Sequence, residues 1–267
     1  EVKNYLEKYN DEYIVIKCGG SLLVDKDLFD NFINDISILN RLGFIPIIIH
    51  GGGKRISAKL NDAGIKSNFI NGLRVTDKKS IDIVENVLNN FNEEITISLK
   101  NNNCNSQGIT NKHNNILIVK EENKELGFVG TPKEINKKII EKIVKEKKVP
   151  VIAPLGLDKN NQVFNINADT AAGAIAKKLN ARRLIIMSDV EGVLDNNKKL
   201  ITEINTVKIN ELIKNETISG GMIPKIKNCL DVASNGVKGV CIIDGRLDHS
   251  ILFELLSNAG SGTLIRE

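Results

Sequence analysis

The hydrophobic pattern divides the chain into two kinds of segment. Short runs of consecutive apolar residues, such as 13–18, alternate with longer segments in which apolar residues recur at helical spacing, such as 26–43. The runs that predict strands are residues 13–18, 44–50, 115–120, 126–130, 149–156, 239–244 and 262–265, with the first residues of 163–180 and 183–195. The segments that predict helices are residues 1–10, 26–43, 54–64, 77–99, 132–146, 207–215, 220–236 and 248–258, with the second part of 163–180.

Local signals add detail to this pattern. Asp77 is a good opening cap for the helix predicted at 77–99, and Pro132 is expected in the first turn of the helix at 132–146. Residues 115–120 and 126–130 predict a hairpin with a polar tip. The asparagine-rich stretch 101–115 predicts a loop.

The alternation of apolar strands with helices is typical of a mostly parallel sheet that is covered on both faces. The sequence therefore predicts an α/β fold, a three-layer sandwich with a mostly parallel central sheet. Ligands bind such sheets beyond the carboxyl ends of the strands. That rule brings residues 17–20, 50–53, 165–169 and 188–192 to one edge.

The stretch "IPIIIHGGGKR" (45–55) ends an apolar strand in three glycines, which often precede a phosphate site. It does not fit a Walker A loop, because Ile48 stands where the first glycine should be and Arg55 where Ser or Thr should be. It does not fit G-x-G-x-x-G either, because Ile56 occupies the third glycine position. The successive N–H groups of residues 51–53 nevertheless predict an anion site at the start of a helix.

Lys17 ends the first strand and is followed by Cys18, Gly19 and Gly20. The two glycines leave backbone amides open to an anion, so this lysine is a candidate ligand for phosphate. Arg74, in "NGLRVTD" (71–77), is suited to bind a carboxylate with two hydrogen bonds.

The segment "NINADTAAGAIA" (165–176) combines polar and small residues. Asn165 and Asn167 alternate on an extended stretch, so we expect their side chains to point the same way. Asp169 falls at or near the cap of the following helix. Capping explains Asp169 by itself but leaves the asparagine pair unexplained.

The C-terminal part carries two further candidate loops. "SDVEGVLD" (188–195) follows an apolar strand and is typical of a loop that faces phosphate or ribose, with Asp189 and Asp195 as candidates for magnesium or nucleotide contacts. "TISGGMIPKIK" (217–227) has two glycines that open a helix, with Lys225 in its early turns. Two distant lysines, glycine loops and one organising aspartate suit phosphoryl transfer, because positioned cations and amides supply most of that catalysis.

Composition excludes several other classes. The net charge of +4 is small, and the basic residues are dispersed, which argues against a nucleic-acid partner. No apolar run approaches the length that spans a membrane, so no membrane role is expected. The four cysteines are widely spaced and form no C-x-x-C, which predicts reduced thiols in a cytoplasmic protein and no structural zinc site.

The motifs taken in order resemble the amino-acid kinase family. The resemblance covers "VIKCGGS" (15–21), "IIIHGGG" (47–53), "NGLRVTD", "NINADTAAGAIA", "MSDVEGVLD" (187–195), "SGGMIPK" (219–225) and "GTLI" (262–265). Among the branches of the family, "NGLRVTD" is most similar to the kinases of N-acetyl-L-glutamate. The resemblance implies ATP, as its Mg²⁺ complex, as the phosphoryl donor and the γ-carboxylate of N-acetyl-L-glutamate as the acceptor, in a step toward arginine.

The resemblance also implies roles for individual residues. Lys17 and Lys225 would neutralise the transition state, and Asp169 would hold both lysines. The implied acceptor-binding residues are Gly52, Gly53, Arg74, Asn165 and Asn167. The implied nucleotide-binding residues are Gly19, Gly20, Ser188, Asp189, Val190, Glu191, Gly192, Val193, Asp195, Thr217, Ile218 and Ser219. In this reading residues 1–180 form an acceptor-binding lobe that also makes oligomer contacts, and residues 181–267 form the ATP lobe.

Both ends of the chain are similar to members of the family that arginine inhibits. Residues 1–10 resemble their N-terminal helix, which joins dimers into a hexamer, and residues 249–265 resemble their C-terminal pattern. The resemblance implies L-arginine as an effector, bound by Lys199, Glu254 and Gly262, and a homo-oligomer that is a dimer or a trimer of dimers. Two alternatives stay open: a kinase of an α-aminoadipate derivative, and a catalytically silent amino-acid sensor on the same fold.

Overall fold

The computed structural model describes residues 2–267, so Glu1, the first residue of the helix predicted at 1–10, lies outside the described residues. The α-helices of residues 2–267 are α1 (Val2–Tyr9), α2 (Lys26–Arg41), α3 (Gly53–Asp62), α4 (Ile81–Asn101), α5 (Lys137–Lys145), α6 (Ala168–Leu179), α7 (Thr206–Lys214), α8 (Met222–Ser234) and α9 (Ser250–Leu256). Short 3₁₀ helices span Gly20–Leu23 and Lys124–Leu126.

The strands are β1 (Tyr13–Cys18), β2 (Ile45–His50), β3 (Phe69–Ile70), β4 (Leu73–Arg74), β5 (Ser106–Ile109), β6 (Leu117–Glu121), β7 (Gly130–Ile135), β8 (Val149–Ile152), β9 (Leu155–Leu157), β10 (Val163–Asn165), β11 (Arg183–Ser188), β12 (Glu203–Ile204), β13 (Val240–Asp244) and β14 (Gly262–Ile265). Eight of them form a central sheet in the order β12–β14–β13–β11–β1–β2–β8–β5. Its neighbours are parallel except for the pair β13–β14, so the predicted mostly parallel sheet is confirmed.

Alternate side chains of the sheet pack into two separate cores. Val15 of β1 belongs to a core that includes Ile175 of α6 and Ile226 of α8. Its neighbour Ile16 belongs to the other core, which includes Phe32 of α2 and residues of α4 and α9. Helices therefore cover both faces of the sheet, and the three-layer sandwich predicted from the apolar runs is confirmed.

The prediction for residues 126–146 is wrong in part. Strand β7 pairs antiparallel with β6 and includes Pro132, which was expected in the first turn of a helix; that helix, α5, begins only at Lys137. Pro132 lies opposite Val119, where the register of the pair shifts, and β7 is the last strand of the sheet β10–β9–β6–β7. An edge strand tolerates proline because one of its edges needs no N–H donors.

Two other local predictions need correction. The predicted loop 101–115 contains β5, which pairs in parallel with β8 at the end of the central sheet. Pairing with a buried neighbour overrides the weak strand propensity of this polar segment. Asp77 accepts a hydrogen bond of 2.8 Å from the amide of Ser80, as a capping residue does, but the turn that it caps precedes α4, which begins at Ile81.

His50, at the end of β2, is completely buried next to the glycines. Its Nδ1 lies 2.9 Å from the carbonyl oxygen of Gly51, and its Nε2 lies 3.2 Å from Nδ2 of Asn92 in α4. Asn92 also donates to the carbonyl oxygen of Val151 in β8 (2.9 Å), and the ring of Phe91 meets His50 edge-on at 5.1 Å. Because an asparagine amide donates to Nε2, His50 is neutral, with its proton on Nδ1. This network fixes where the glycine loop leaves the sheet.

We predict that protonation of His50 destabilises the fold in acid. Burial lowers the pKa of His50 from 6.5 to about 4. Between these pH values the unfolded state binds more protons, so the free energy of unfolding falls as the pH falls from 6.5 toward 4. The contribution lost is about 3 kcal/mol at pH 4. Urea denaturation of the wild type and of His50→Gln across this range measures it.

The Gln variant is the matched control, because its amide can both donate and accept but does not titrate. We expect its stability to vary less with pH than that of the wild type. Equal pH dependence of the two proteins would contradict the assignment of a neutral, buried His50.

Candidate active site

A cavity of about 270 Å³ opens at the carboxyl ends of β1 and β2, where the strand rule predicts a ligand. Backbone from the two glycine loops and side chains from β4, β10 and α6 line it. The predicted residues that line it are Lys17, Gly19, Gly20, Gly52, Gly53, Arg74, Asn165, Asn167 and Asp169. The predicted acceptor-binding residues therefore share one cavity with Lys17 and Asp169.

Asp169 lies between two lysines. Its Oδ1 is 2.8 Å from Nζ of Lys17, and its Oδ2 accepts a hydrogen bond of 2.7 Å from Nζ of Lys225. All three side chains are four-fifths or more buried. Burial by itself raises the pKa of Asp169, but the two ammonium groups outweigh it and hold this pKa well below its ordinary value. The ionised carboxylate thus holds two positive charges at the cavity wall.

The polar residues at the N-terminus of α6 have different hydrogen-bond partners. Asn167 is the capping residue, and its Oδ1 accepts from the amide of Thr170 (3.0 Å). Asp169 follows inside the first turn, which leaves its carboxylate to the lysines. Asn165 instead donates to Oγ1 of Thr76 (3.3 Å). The asparagine pair therefore does not act as one unit, although both residues line the cavity.

The small residues that follow Asp169 allow α6 to approach α8 closely. A Cβ at Gly173 would lie 2.7 Å from Cγ2 of Val232 in α8. Since Lys225 stands in the first turn of α8, this close packing brings its ammonium group to Asp169. The small residues thus help to position the ionic network although they make no contact within it.

The glycines after His50 meet two different demands. A Cβ at Gly52 would lie 2.5 Å from Cδ2 of Leu88, whereas a Cβ at Gly53 would meet no atom within 4 Å. Gly52 is therefore required by packing, and Gly53 leaves open space at the start of α3. The first amides of a helix have no helical partner, so this loop offers N–H groups to an anion in the cavity.

Arg74 is buried, and its guanidinium is held by neutral groups. It donates to the hydroxyls of Ser57 (2.8 Å) and Ser67 (2.7 Å) and to the carbonyl oxygen of Gly53 (3.0 Å). It also lies over the ring of Phe69, 4.7 Å from the centroid. Burial lowers its pKa, but an arginine stays charged. A buried cation whose hydrogen-bond partners within residues 2–267 include no carboxylate is suited to bind a substrate carboxylate.

Gly19 and Gly20, predicted to bind nucleotide, line the same cavity as Lys17. A Cβ at Gly19 would lie 2.8 Å from Nζ of Lys17, and one at Gly20 would overlap the carboxylate of Asp189. Gly20 also has φ +67°, which favours glycine. The two glycines therefore make room for charged side chains.

Sequence reasoning missed two residues that contact Asp189. The amide of Ser21 donates to Oδ1 of Asp189 (2.7 Å), and Nζ of Lys54 donates to its Oδ2 (3.0 Å) and to Oγ of Ser21 (3.0 Å). The available signal for Lys54 was its position directly after the three glycines. The strand rule predicted that the segments after β1, β2 and β11 share one edge, but only the fold shows these contacts between them.

A second cavity, of about 390 Å³, lies at the C-terminal loops. The predicted nucleotide residues that line it are Asp189, Val190, Glu191, Gly192, Val193, Thr217, Ile218 and Ser219. Leu194, Met222 and Arg246 line it as well and were missed. Arg246 is held by Asp244 at the end of β13, with hydrogen bonds of 2.8 and 2.7 Å.

Ser188 and Asp195 lie beside this cavity rather than in it. The carbonyl oxygen of Ser188 accepts from the amide of Gly245 (2.8 Å), which joins the ends of β11 and β13. Oδ1 of Asp195 accepts from the amides of Asn197 (2.8 Å) and Lys199 (2.9 Å) and so closes a turn. The contacts of both residues are structural.

A third cavity, of about 210 Å³, is formed near the C-terminal strand. Glu254 and Gly262 line it together with Arg183 and Arg266. A Cβ at Gly262 would overlap the carbonyl oxygen of Ile242, so the pairing of β13 with β14 requires this glycine. Lys199 lies outside the lining, in the turn that Asp195 closes.

Within residues 2–267 no three His, Cys, Asp or Glu side chains are grouped so that they could hold a metal ion. Over the same residues no helix has the length and apolar character needed to cross a membrane.

Comparison with known proteins agrees with this geometry. The model of the amino acid kinase family matches residues 12–244. Acetylglutamate kinase of Pelagibacter ubique (strain HTCC1062) is 69% identical over 267 residues, which cover 100% of this chain and 93% of the relative. Acetylglutamate kinase of Campylobacter fetus subsp. fetus (strain 82-40) is 44% identical, and the match covers 98% of this chain and 94% of the relative.

Among solved structures, N-acetylglutamate synthase from Neisseria gonorrhoeae, complexed with coenzyme A and N-acetyl-glutamate, superposes with a TM-score of 0.90 at 20% identity. The match covers 100% of this chain and 62% of the synthase, so the chain spans less than two thirds of that protein, and at this identity the likeness shows the fold alone. The family model matches most of the chain, and the two kinases are similar to it over nearly their full lengths. The chain therefore belongs to the amino acid kinase family.

Proposed function

We propose that the protein transfers the γ-phosphoryl group of ATP to the γ-carboxylate of N-acetyl-L-glutamate, a step of arginine biosynthesis. The observation that carries the proposal is the Asp169 carboxylate that holds Lys17 and Lys225 at the cavity wall. Similarity to kinases of that name over nearly the whole chain supports the choice of acceptor.

The acceptor would lie in the 270 Å³ cavity. Arg74 would bind its α-carboxylate, because the guanidinium is buried and its hydrogen-bond partners among residues 2–267 are hydroxyl and carbonyl oxygens. Asn165 and Asn167 would offer further polar contacts, and the amides of Gly52 and Gly53 would face the reacting carboxylate. This arrangement aims one end of the acceptor at the lysines.

The chemistry requires no base. An oxygen of the acceptor γ-carboxylate, already an anion at neutral pH, attacks the γ-phosphorus while the bond from that phosphorus to the bridging β–γ oxygen breaks. The acyl phosphate and ADP form without transfer of a proton. Lys17 and Lys225 would neutralise the charge on the transferring group, and Asp169 would keep both ammonium groups in place.

ATP would occupy the 390 Å³ cavity of the C-terminal loops. Magnesium would arrive on the phosphates of ATP, since the described residues form no metal cage and Asp189 is bound by Ser21 and Lys54. Its charge would help to neutralise the phosphates.

From the positions of the two cavities we assign residues 1–180 to an acceptor lobe and residues 181–267 to an ATP lobe. Four buried, free cysteines are consistent with the cytoplasm.

The two alternative functions would require different features of the site. A kinase of an α-aminoadipate derivative would need the same phosphoryl machinery and a longer acceptor space. A silent sensor would have no need for the three-residue ionic network. The buried network of Lys17, Asp169 and Lys225 favours an enzyme.

We predict that hydroxylamine traps an acyl phosphate when the protein is given ATP, Mg²⁺ and N-acetyl-L-glutamate. Loss of one ammonium group in Lys17→Met or Lys225→Met should lower kcat by about 10²–10³-fold, because charge on the transferring group is then left uncompensated. Lys227→Met, on the exposed side of the same helix as Lys225, is the matched control and should keep wild-type kcat. Product from an aminoadipate derivative alone would replace the proposed acceptor, and no product at all would favour the sensor.

We predict that Arg74→Lys raises the KM for the acceptor about tenfold and leaves the KM for ATP within about twofold. Lysine keeps the charge but cannot form the two parallel hydrogen bonds of a guanidinium with a carboxylate. Initial rates at varied concentrations of each substrate, together with the melting temperature, measure it. An unchanged acceptor KM in a folded variant would remove Arg74 from the acceptor site.

We also propose that the cavity of Glu254 and Gly262 binds L-arginine and that the protein is a homo-oligomer. Support comes from the 210 Å³ volume and from the mixed lining, in which Arg183 and Arg266 can face a carboxylate while Glu254 can face a guanidinium. The helix α1 contributes Lys8 and Tyr9 to the same cavity. An effector bound there could therefore alter contacts that α1 makes with another subunit.

Millimolar L-arginine is expected to inhibit the wild type, whereas citrulline, which lacks the guanidinium charge, is not. Glu254→Gln should abolish the inhibition and leave basal kcat unchanged. Sedimentation equilibrium with and without arginine tests the assembly. A dimer indifferent to arginine, with full activity, would discard the effector site and leave the kinase proposal intact.

A further inference from the structure

Three residues that follow different strands join the acceptor and nucleotide cavities. Ser21, Lys54 and Asp189, which we term the bridge, form a closed set of three hydrogen bonds. Nζ of Lys54 is 3.0 Å from both Oγ of Ser21 and Oδ2 of Asp189, and the amide of Ser21 is 2.7 Å from Oδ1 of Asp189. Each member therefore contacts the other two.

The bridge spans three neighbouring strands of the central sheet. Ser21 follows β1, Lys54 follows β2, and Asp189 follows β11, which are adjacent in the order β11–β1–β2. Gly20, next to Ser21, lines the acceptor cavity, and Asp189 lines the nucleotide cavity. The bridge therefore lies where the linings of the two cavities meet.

The Lys54 side of the bridge is held in place by contacts of the neighbouring residue. Arg55, next to Lys54 in α3, donates through Nε to the carbonyl oxygen of Leu23 (2.6 Å). Its guanidinium pairs with Glu94 of α4 at 2.5 and 3.0 Å and lies over the ring of Phe91, 4.0 Å from the centroid. The start of α3 is thus fixed to the 3₁₀ helix Gly20–Leu23 and to α4. Asp189, in contrast, stands in the loop after β11.

The bridge adds little to overall stability. The side chains of Lys54 and Asp189 are 45% and 36% exposed, and ion pairs so exposed contribute little to stability because solvent screens them. The same contacts can still decide geometry, because they restrain a loop against a rigid support. A misplacement of about 1 Å can cost about 10²-fold in rate.

We propose that Lys54 is a positioning residue: it holds Asp189 against Ser21, and the bridge sets the distance between the nucleotide loop and the acceptor loop. This inference rests on the proposed kinase function and adds a residue to it. Lys54 acts through Asp189 and does not need to contact the transferring group. Its loss therefore leaves both substrates able to bind but lets their reacting groups drift out of line, which lowers kcat rather than raising KM.

Lys54→Met is the test variant, and Lys59→Met is its matched control. Lys59 lies in the same helix, carries the same charge and pairs with the exposed Asp62 away from both cavities. We expect Lys54→Met to lower kcat about tenfold, with both KM values within about twofold and an unchanged melting temperature. Lys59→Met should match the wild type in all of these. Equal kcat in the two variants would overturn the proposal, as would a loss confined to KM.

Ser21→Ala removes only the hydroxyl that accepts from Lys54 and keeps the Ser21 amide. If the three residues act as one bridge, the double variant Ser21→Ala, Lys54→Met loses about as much kcat as Lys54→Met alone. Fully multiplicative losses would mean that Lys54 acts independently of the bridge and would overturn the proposal.

Hydrogen exchange without substrates gives a readout that does not depend on activity. The amide of Ser21, which donates to Asp189, should exchange faster in Lys54→Met than in the wild type or in Lys59→Met. Unchanged exchange would show that Lys54 does not hold the loops together. A wild type that forms no acyl phosphate would contradict the proposed function, while the exchange comparison would still decide whether Lys54 restrains Asp189.

Discussion

The carboxylate of Asp169, held between the ammonium groups of Lys17 and Lys225, is the interaction on which the site depends. Each of these charges would be costly to bury alone, and removal of one partner would leave the others uncompensated. Together they carry a net positive charge, which suits a site that receives phosphate. The network can form only if the end of β1, the start of α6 and the start of α8 converge. It therefore depends on how the helices pack on the sheet.

That convergence requires close packing. Gly173 lets α6 approach Val232 of α8, and α6 in turn packs against β1. On the opposite face of the sheet, the neutral His50 and Asn92 fix the exit of the glycine loop from β2. The backbone amides of the glycine loop therefore start from a rigid, uncharged support, and Asp169 holds the ammonium groups of Lys17 and Lys225.

The charged residues of the two cavities have different kinds of hydrogen-bond partner. Arg74 is held by hydroxyl and carbonyl groups, which leaves its charge for a ligand. Asp189 is instead bound by Ser21 and Lys54 and so belongs to the framework between the cavities. The tasks of these two charged residues therefore follow from their partners.

The sequence by itself determined the helices, the longer strands, the three-layer class and many of the residues that line the acceptor and nucleotide cavities, because apolar periodicity and glycine loops are local signals. It did not indicate the two-residue strands β3, β4 and β12. It failed at β5 and Pro132, where pairing with a neighbouring strand overrides local propensity. It placed Asp169 at or near the helix cap, and the structure has Asn167 as the cap with Asp169 in the first turn. Only the tertiary structure decided the contacts of Lys54 with Asp189, since residues that are far apart in the chain meet where parallel strands end at one edge of a sheet.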